Sequence, residues 1–318
     1  MNFTTKIPIQ KYEHAITYDS KIMLLGSCFA ESIGKKFSYF KFQNTTNPFG
    51  IIFNPKSLAK MIERCVRKDY FTEEDIFFHN DLWQCYEVHS ELSHPDKVVF
   101  LNSLNALIDS TYNELNESTH LIITLGTAWV YRNIETNEIV ANCHKVSQKH
   151  FVKELLSPES IAQSMESILF TISVHNPNCK CICTVSPVRH VKDGFTENTL
   201  SKAHLIAALH KTITHNPSPI NYFPAYEIMM DELRDYRFYA EDMLHPNQTA
   251  VDYIWIQFFE NYISELDFGL MNEICTIQKG LQHRPFHSDT AQHQKFINDL
   301  KTKMTTLKNK LPFVSFEN

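Results

Sequence analysis

Glycine is scarce in this chain, with seven in 318 residues against a usual share of roughly 7%. Such a chain keeps glycine where a positive φ or a close backbone approach demands it. Long apolar runs are also missing. The run at 22–25 is typical, far short of the ~20 residues a membrane helix needs. Residues 1–10 carry no apolar signal-peptide core and no small-residue cleavage site, so a cytoplasmic location is expected. No basic stripe accompanies the net charge of −6, which argues against a nucleic-acid partner. There is no GxGxxG, and Gly26 to Gly34-Lys35 has the wrong spacing for a P-loop, so phosphate-cradling readings fail too.

What is present suits a folded soluble protein. The composition is 43% hydrophobic and 21% charged, and the length allows one large domain or two modest ones. The eight cysteines read as reduced thiols rather than a disulfide framework. Cys179, Cys181 and Cys183 alternate at period two, which lines three sulfurs along one face of a strand. Metal sites more often use CxxC on turns, so no metal is expected there.

Three glycines close apolar or extended runs. Gly26 follows the buried-strand run 22–25, Gly50 ends the turn cluster Asn47-Pro48-Phe49-Gly50, and Gly126 follows the run 121–125. Helical spacing over 29–40 after the first glycine opens a βαβ unit. Strands are expected near 21, 42, 120, 179 and 220. Helices are expected over 58–66, 98–115, 157–174 and 200–213, and after Asn247 as N-cap. Residues 76–89 read as an inserted hairpin, and 129–132 with 138–142 as another. Phe296, Leu300, Met304 and Leu307 mark a terminal amphipathic helix. The alternation predicts a three-layer α/β/α sandwich on a parallel sheet, with its site beyond the carboxyl ends of the strands. The division expected is a catalytic domain over 1–267 and a helical extension over 268–318, which could dock a second copy.

Two constellations could carry chemistry. Ser27 and Cys28 place a hydroxyl and a thiol at a helix N-terminus, whose free N–H groups favour a thiolate or oxyanion. A plain reading makes Ser27 a helix cap and Cys28 a small core residue. Asp242 stands three residues before His245 in a turn ahead of the last sheet-packing helix. It can hold Nδ1–H and leave Nε2 to take a proton from a nucleophile. The bland alternative is a capping turn.

Together these residues resemble the SGNH, or GDSL-like, hydrolases in order and placement. Gly26-Ser27-Cys28-Phe29-Ala30 spells the motif that names the GSCFA family, which is related to that superfamily. The resemblance continues through Asn47-Pro48-Phe49-Gly50, Asn142-Cys143-His144-Lys145, Ser186-Pro187-Val188-Arg189-His190 and His283-Arg284-Pro285-Phe286, covering roughly 20–287. It implies a flavodoxin-like α/β sandwich. It also implies attack on an ester or thioester carbonyl by Cys28 or Ser27, with His245 and Asp242 as base and orienting acid. Such an enzyme would be a hydrolase or acyltransferase of a small-molecule or carbohydrate ester, with no cofactor required.

Two departures from the superfamily pattern stand out. Its nucleophilic serine is the third letter of Gly-Asp-Ser, a place Cys28 takes here unless the register shifts to Ser27. Its Gly-x-Asn-Asp block reads Gly126-Thr127-Ala128-Trp129, so Ala128 replaces the oxyanion-donating asparagine. Thr127, Trp129 and Asn142 are candidate substitutes, with backbone N–H groups of Cys28 and Gly50 completing the hole. Arg189, His190 and Lys202 follow the fourth strand and could bind a carboxylate or phosphate on the rim. His89 and His144 come from insertions that could fold over the mouth. Arg284 could anchor the C-terminal segment. A non-catalytic binding or assembly protein on the same fold is the competing reading.

Overall fold

A computed structural model describes residues 5–215, 220–284 and 290–316. The chain opens β1 (Lys21–Gly26), α1 (Cys28–Tyr39), β2 (Gln43–Thr46) and α2 (Pro55–Arg67), then a hairpin of β3 (Phe77–His79) and β4 (Leu82–Gln84). It continues through α3 (Lys97–Glu117), β5 (His120–Leu125), β6 (Trp129–Asn133), β7 (Ile139–Val140), β8 (Phe151–Leu155) and α4 (Pro158–His175). The last part holds β9 (Lys180–Val185), α5 (Phe195–His215), β10 (Ile220–Tyr222), the single turn α6 (Ala225–Glu227), α7 (Gln248–Tyr262), α8 (Phe268–Gln282) and α9 (Ala291–Lys310).

One five-stranded parallel sheet carries the molecule in the order β10-β9-β5-β1-β2. Its central strands are near-continuous apolar runs because helices cover both faces. Alternate residues serve opposite layers. Met23 and Leu25, Leu121, Ile123 and Leu125, and Cys181, Cys183 and Val185 meet α2, α3, α4 and α5. Ile22, Leu24, Ile122 and Ile182 meet α1 and α7, with residues of α8 and α9 in the same cluster. Cys181 and Cys183 are thus core thiols.

All five strands start within one residue of their expected positions. Two differences have physical reasons. The hairpin of β6 and β7 gains β8 as a third antiparallel strand on its other edge. Helix α5 begins earlier than the apolar spacing suggests, because its first buried positions, Asn198, Ser201 and Lys202, are polar. Helix α8 falls inside the expected helical extension, where its short buried stripe of Met271, Ile274 and Ile277, flanked by Gly269 and Gly280, gives no helix bounds of its own. Of the block at 283–286, Pro285 and Phe286 lie outside the described residues.

Candidate active site

The turn from β1 into α1 is held from three sides. Gly26 has φ +129°, which only glycine adopts readily. Its N–H donates to Asn47 Oδ1 at 2.8 Å, and its carbonyl accepts from Ile52 N–H at 3.1 Å. Ser27 N–H donates to the Thr124 carbonyl at 3.0 Å. The Ser27 side chain is fully buried, and its Oγ caps α1 by accepting from Phe29 N–H at 3.3 Å. Cys28 follows as the first helical residue and stays partly exposed. The two alternatives therefore differ in access: Ser27 serves the helix, whereas Cys28 can meet a ligand.

The thiol is not activated at rest. Burial pushes the Cys28 pKa up, Glu31 adds to the rise, and Lys202 with the N–H groups of Cys28 and Phe29 only partly oppose it. This corrects the expectation of a helix-end thiolate: desolvation outweighs the dipole.

Asp242 and His245 form the expected pair. His245 Nδ1 lies 2.6 Å from Asp242 Oδ2. The N–H groups of Leu244 and His245 donate to Asp242 Oδ1 at 2.9 and 3.0 Å, across Met243 at φ +59°. Those N–H groups, His245's first, and then the imidazole hold the carboxyl down at about 2. The turn is pinned by Ala240 N–H to the His245 carbonyl at 2.7 Å and Arg189 N–H to the Leu244 carbonyl at 3.1 Å. Asn247 then caps α7 by accepting from Ala250 N–H at 3.0 Å. Helices α1 and α7 lie side by side, with Phe37 edge-on to Trp255 and Phe258. Ser32, one turn into α1, borders the same groove as Pro246 and Gln248. Cys28 and the Asp242–His245 pair therefore share the carboxyl edge of the sheet.

Lys202 is not on the rim. It is 1% exposed, and Nζ donates to the carbonyls of Gly126 at 2.7 Å and Ser186 at 2.8 Å, tying the loops after β5 and β9 together. Desolvation brings its pKa down to about 7, against the pull of nearby Cys28. His190 packs edge-on to Phe53 with ring centroids 5.5 Å apart, and its buried Nε2 has no hydrogen-bond partner among the described residues. Burial first, then Lys202 and His245, lowers it to about 3, so the imidazole is neutral. Its interactions with both Lys202 and His245, together with that between Lys202 and Cys28, link the two halves of the site.

Most expected oxyanion donors are occupied. Gly50 N–H donates to the Asn47 carbonyl at 2.7 Å. The Thr127 hydroxyl meets Ser201 Oγ at 3.1 Å and accepts from Trp129 N–H at 3.0 Å. The Trp129 indole donates to the Glu197 carbonyl at 3.2 Å, and Asn142 Nδ2 to Ser90 Oγ at 3.2 Å. The N–H of Ala128 goes to Ser201 Oγ at 2.8 Å. Thr127, Trp129 and Asn142 instead line a cleft of about 270 Å³ with Phe53 and Lys192. His144 is buried and donates from Nε2 to the Cys85 carbonyl at 2.6 Å. His89 Nδ1 accepts from Glu91 N–H at 3.4 Å beside Gly50. Sequence reasoning missed Asn47 as the brace of Gly26 and Ser201 as the brace of the β5 loop. The second was visible as a 198, 201, 202, 205 stripe on α5.

The GSCFA family profile matches residues 21–258, and that of a GSCFA domain protein C-terminal domain matches 274–318. No curated protein matches the chain. Among solved structures it is similar to a carbohydrate esterase family 3 protein from Talaromyces cellulolyticus, at 10% identity over 81% of this chain and 99% of that one, with TM-score 0.36. An acetyl esterase variant with acetate ion is similar at 10% identity over 80% and 99%, with TM-score 0.35. An acetyl xylan esterase from the rumen bacterium Butyrivibrio proteoclasticus is similar at 11% identity over 85% and 66%, with TM-score 0.29. The first match, over most of this chain from β1 into α7, shows that the chain belongs to the GSCFA family.

Proposed function

We propose that the chain is an acyl-transfer enzyme that cleaves an ester or thioester through Cys28, His245 and Asp242. The observation that carries this reading is the Asp242–His245 hydrogen bond at the sheet edge where α1 presents a partly exposed thiol. Because the thiol is protonated at rest, attack needs a base. Asp242 accepts Nδ1–H, leaving Nε2 of His245 to take the Cys28 proton as sulfur bonds to the carbonyl carbon. The tetrahedral intermediate expels the alkoxide or thiolate, which receives the proton from His245. Water, or an acceptor alcohol, then gives its proton to His245 and attacks the thioester. Breaking the carbon–sulfur bond releases the acyl product, and sulfur recovers the proton. The Cys28 N–H is the donor best placed for the oxyanion. A small acyl group on a carbohydrate or other small alcohol fits the SGNH resemblance.

Turnover of an aryl acetate tests the assignment. Cys28→Ala is expected to lower kcat/KM at least about 10³-fold. Ser27→Ala removes a helix cap, costing ~1 kcal/mol of stability, and keeps the chemistry. The reverse result returns the protein to serine chemistry. Turnover indifferent to both, with the engaged donors at Thr127, Trp129 and Asn142, favours a non-catalytic binding protein.

A further inference from the structure

Beside the catalytic turn lies a second cleft, of about 180 Å³, bounded by Arg189, Met229, Leu233, Arg234, Tyr236 and Tyr239. Arg189 is set between two rings, its guanidinium carbon 4.4 Å from the Tyr239 centroid and 5.4 Å from that of Tyr236. Nη1 reaches the Tyr236 hydroxyl at 3.4 Å. Among the described residues the side-chain partners of Arg189 are Tyr236 and Tyr239, and no carboxylate pairs with it. The one acid bordering the cleft, Asp235, is engaged in its own turn by Arg237, through Nη2 at 2.9 Å and N–H at 2.8 Å. Two backbone contacts fix the cleft against the Asp242–His245 turn. Arg189 N–H bonds the Leu244 carbonyl at 3.1 Å, and Tyr239 pairs with Pro246.

We propose that this cleft receives an anionic oxygen group of the substrate, a carboxylate or phosphate, on Arg189, so that the ester it carries lies over His245 and Cys28. The inference rests on the acyl-transfer reading for what is cleaved, but not for what is bound. A guanidinium is charged at every working pH, and its planar fork matches an oxyanion two bonds at a time. Contact with both rings and the bond to the Tyr236 hydroxyl hold the guanidinium in place, so little side-chain freedom remains to be lost on binding. Unlike Lys202, whose ammonium is sealed under the loops, Arg189 lines an open cleft.

Two esters with the same acetyl group separate the cases: para-acetoxybenzoate and its neutral methyl ester. The wild type is expected to favour the anionic ester by about tenfold to a hundredfold in kcat/KM. Arg189→Gln is expected to bring that ratio close to one, and Arg189→Lys to leave an intermediate ratio. In parallel, calorimetry follows binding of para-hydroxybenzoate and of inorganic phosphate to wild type and Arg189→Gln. Binding lost in Arg189→Gln supports the site even if neither ester turns over, in which case the acyl-transfer reading alone fails. Turnover of both esters without preference, or anion binding that survives in Arg189→Gln, overturns the proposal. Should both variants unfold, the wild-type preference and its competition by phosphate decide.

Discussion

One proton on Lys202 shows how a buried charge marks this site. Its ammonium, sealed under Gly126 and Ser186, lets go at about 7, whereas an exposed lysine holds on to 10.5. Between these values the unfolded chain binds more protons than the folded one, so folding stability rises with pH through this group. Its neighbours stay silent over the lower part of the window. His190 is already neutral, with its pKa down at about 3, and Cys28 remains a thiol beyond its ordinary 9.0. Denaturant unfolding should therefore show wild type gaining on Lys202→Met by up to ~2 kcal/mol from about pH 7 to about pH 9. Parallel stabilities in the two proteins would mean that Lys202 keeps its proton. The residue was legible as chemistry and illegible as placement. A lysine among polar positions reads as solvent-facing, yet Asn198, Ser201, Lys202 and Leu205 form one buried helical face.

At the scale of elements, β1 and α1 depend on a backbone that no other residue can supply. A Cβ on Gly26 would stand 2.0 Å from the Thr124 carbonyl oxygen at φ +129°. Gly26→Ala must part β1 from β5 or twist the turn that presents Cys28, at a cost of at least ~2 kcal/mol. Denaturant midpoints check this, and a variant as stable as wild type would refute it. The same glycine made the fold readable. Buried parallel strands are unbroken apolar runs, and Gly26 and Gly126 punctuate two of them at the edge where loops gather. What hid was of another kind. β8 has one buried residue in Phe151–Leu155, so no apolar pattern announces it. The occupied donors at Gly50, Thr127, Trp129 and Asn142 were also beyond reach. Residue type tells what can donate, while only the folded chain tells to whom.

For the whole molecule, the C-terminal helices complete the core. Met271, Ile274 and Ile277 of α8, with Leu300 and Leu307 of α9, are buried in the cluster that holds α1 and α7. Lys310 pairs with Glu273 across the two helices, and Leu300 closes over Gly280. The buried stripes of both helices thus lie against this chain itself. At ~1.5–3 kcal/mol for each fully buried side chain, removing 268–318 forfeits as much as a domain's usual net stability. The truncated chain should melt more than about ten degrees lower and bind a hydrophobic dye. An unchanged Tm would show instead that 1–267 stands alone. In the intact protein, acyl transfer through sulfur as proposed leaves a covalent trace. Rapid quenching of an aryl acetate reaction, followed by peptide mass mapping, addresses it directly. The expected result is an acetyl thioester on Cys28 that hydroxylamine removes at neutral pH. An acetyl group on Ser27, or steady turnover with no acyl-enzyme at any time, would contradict it.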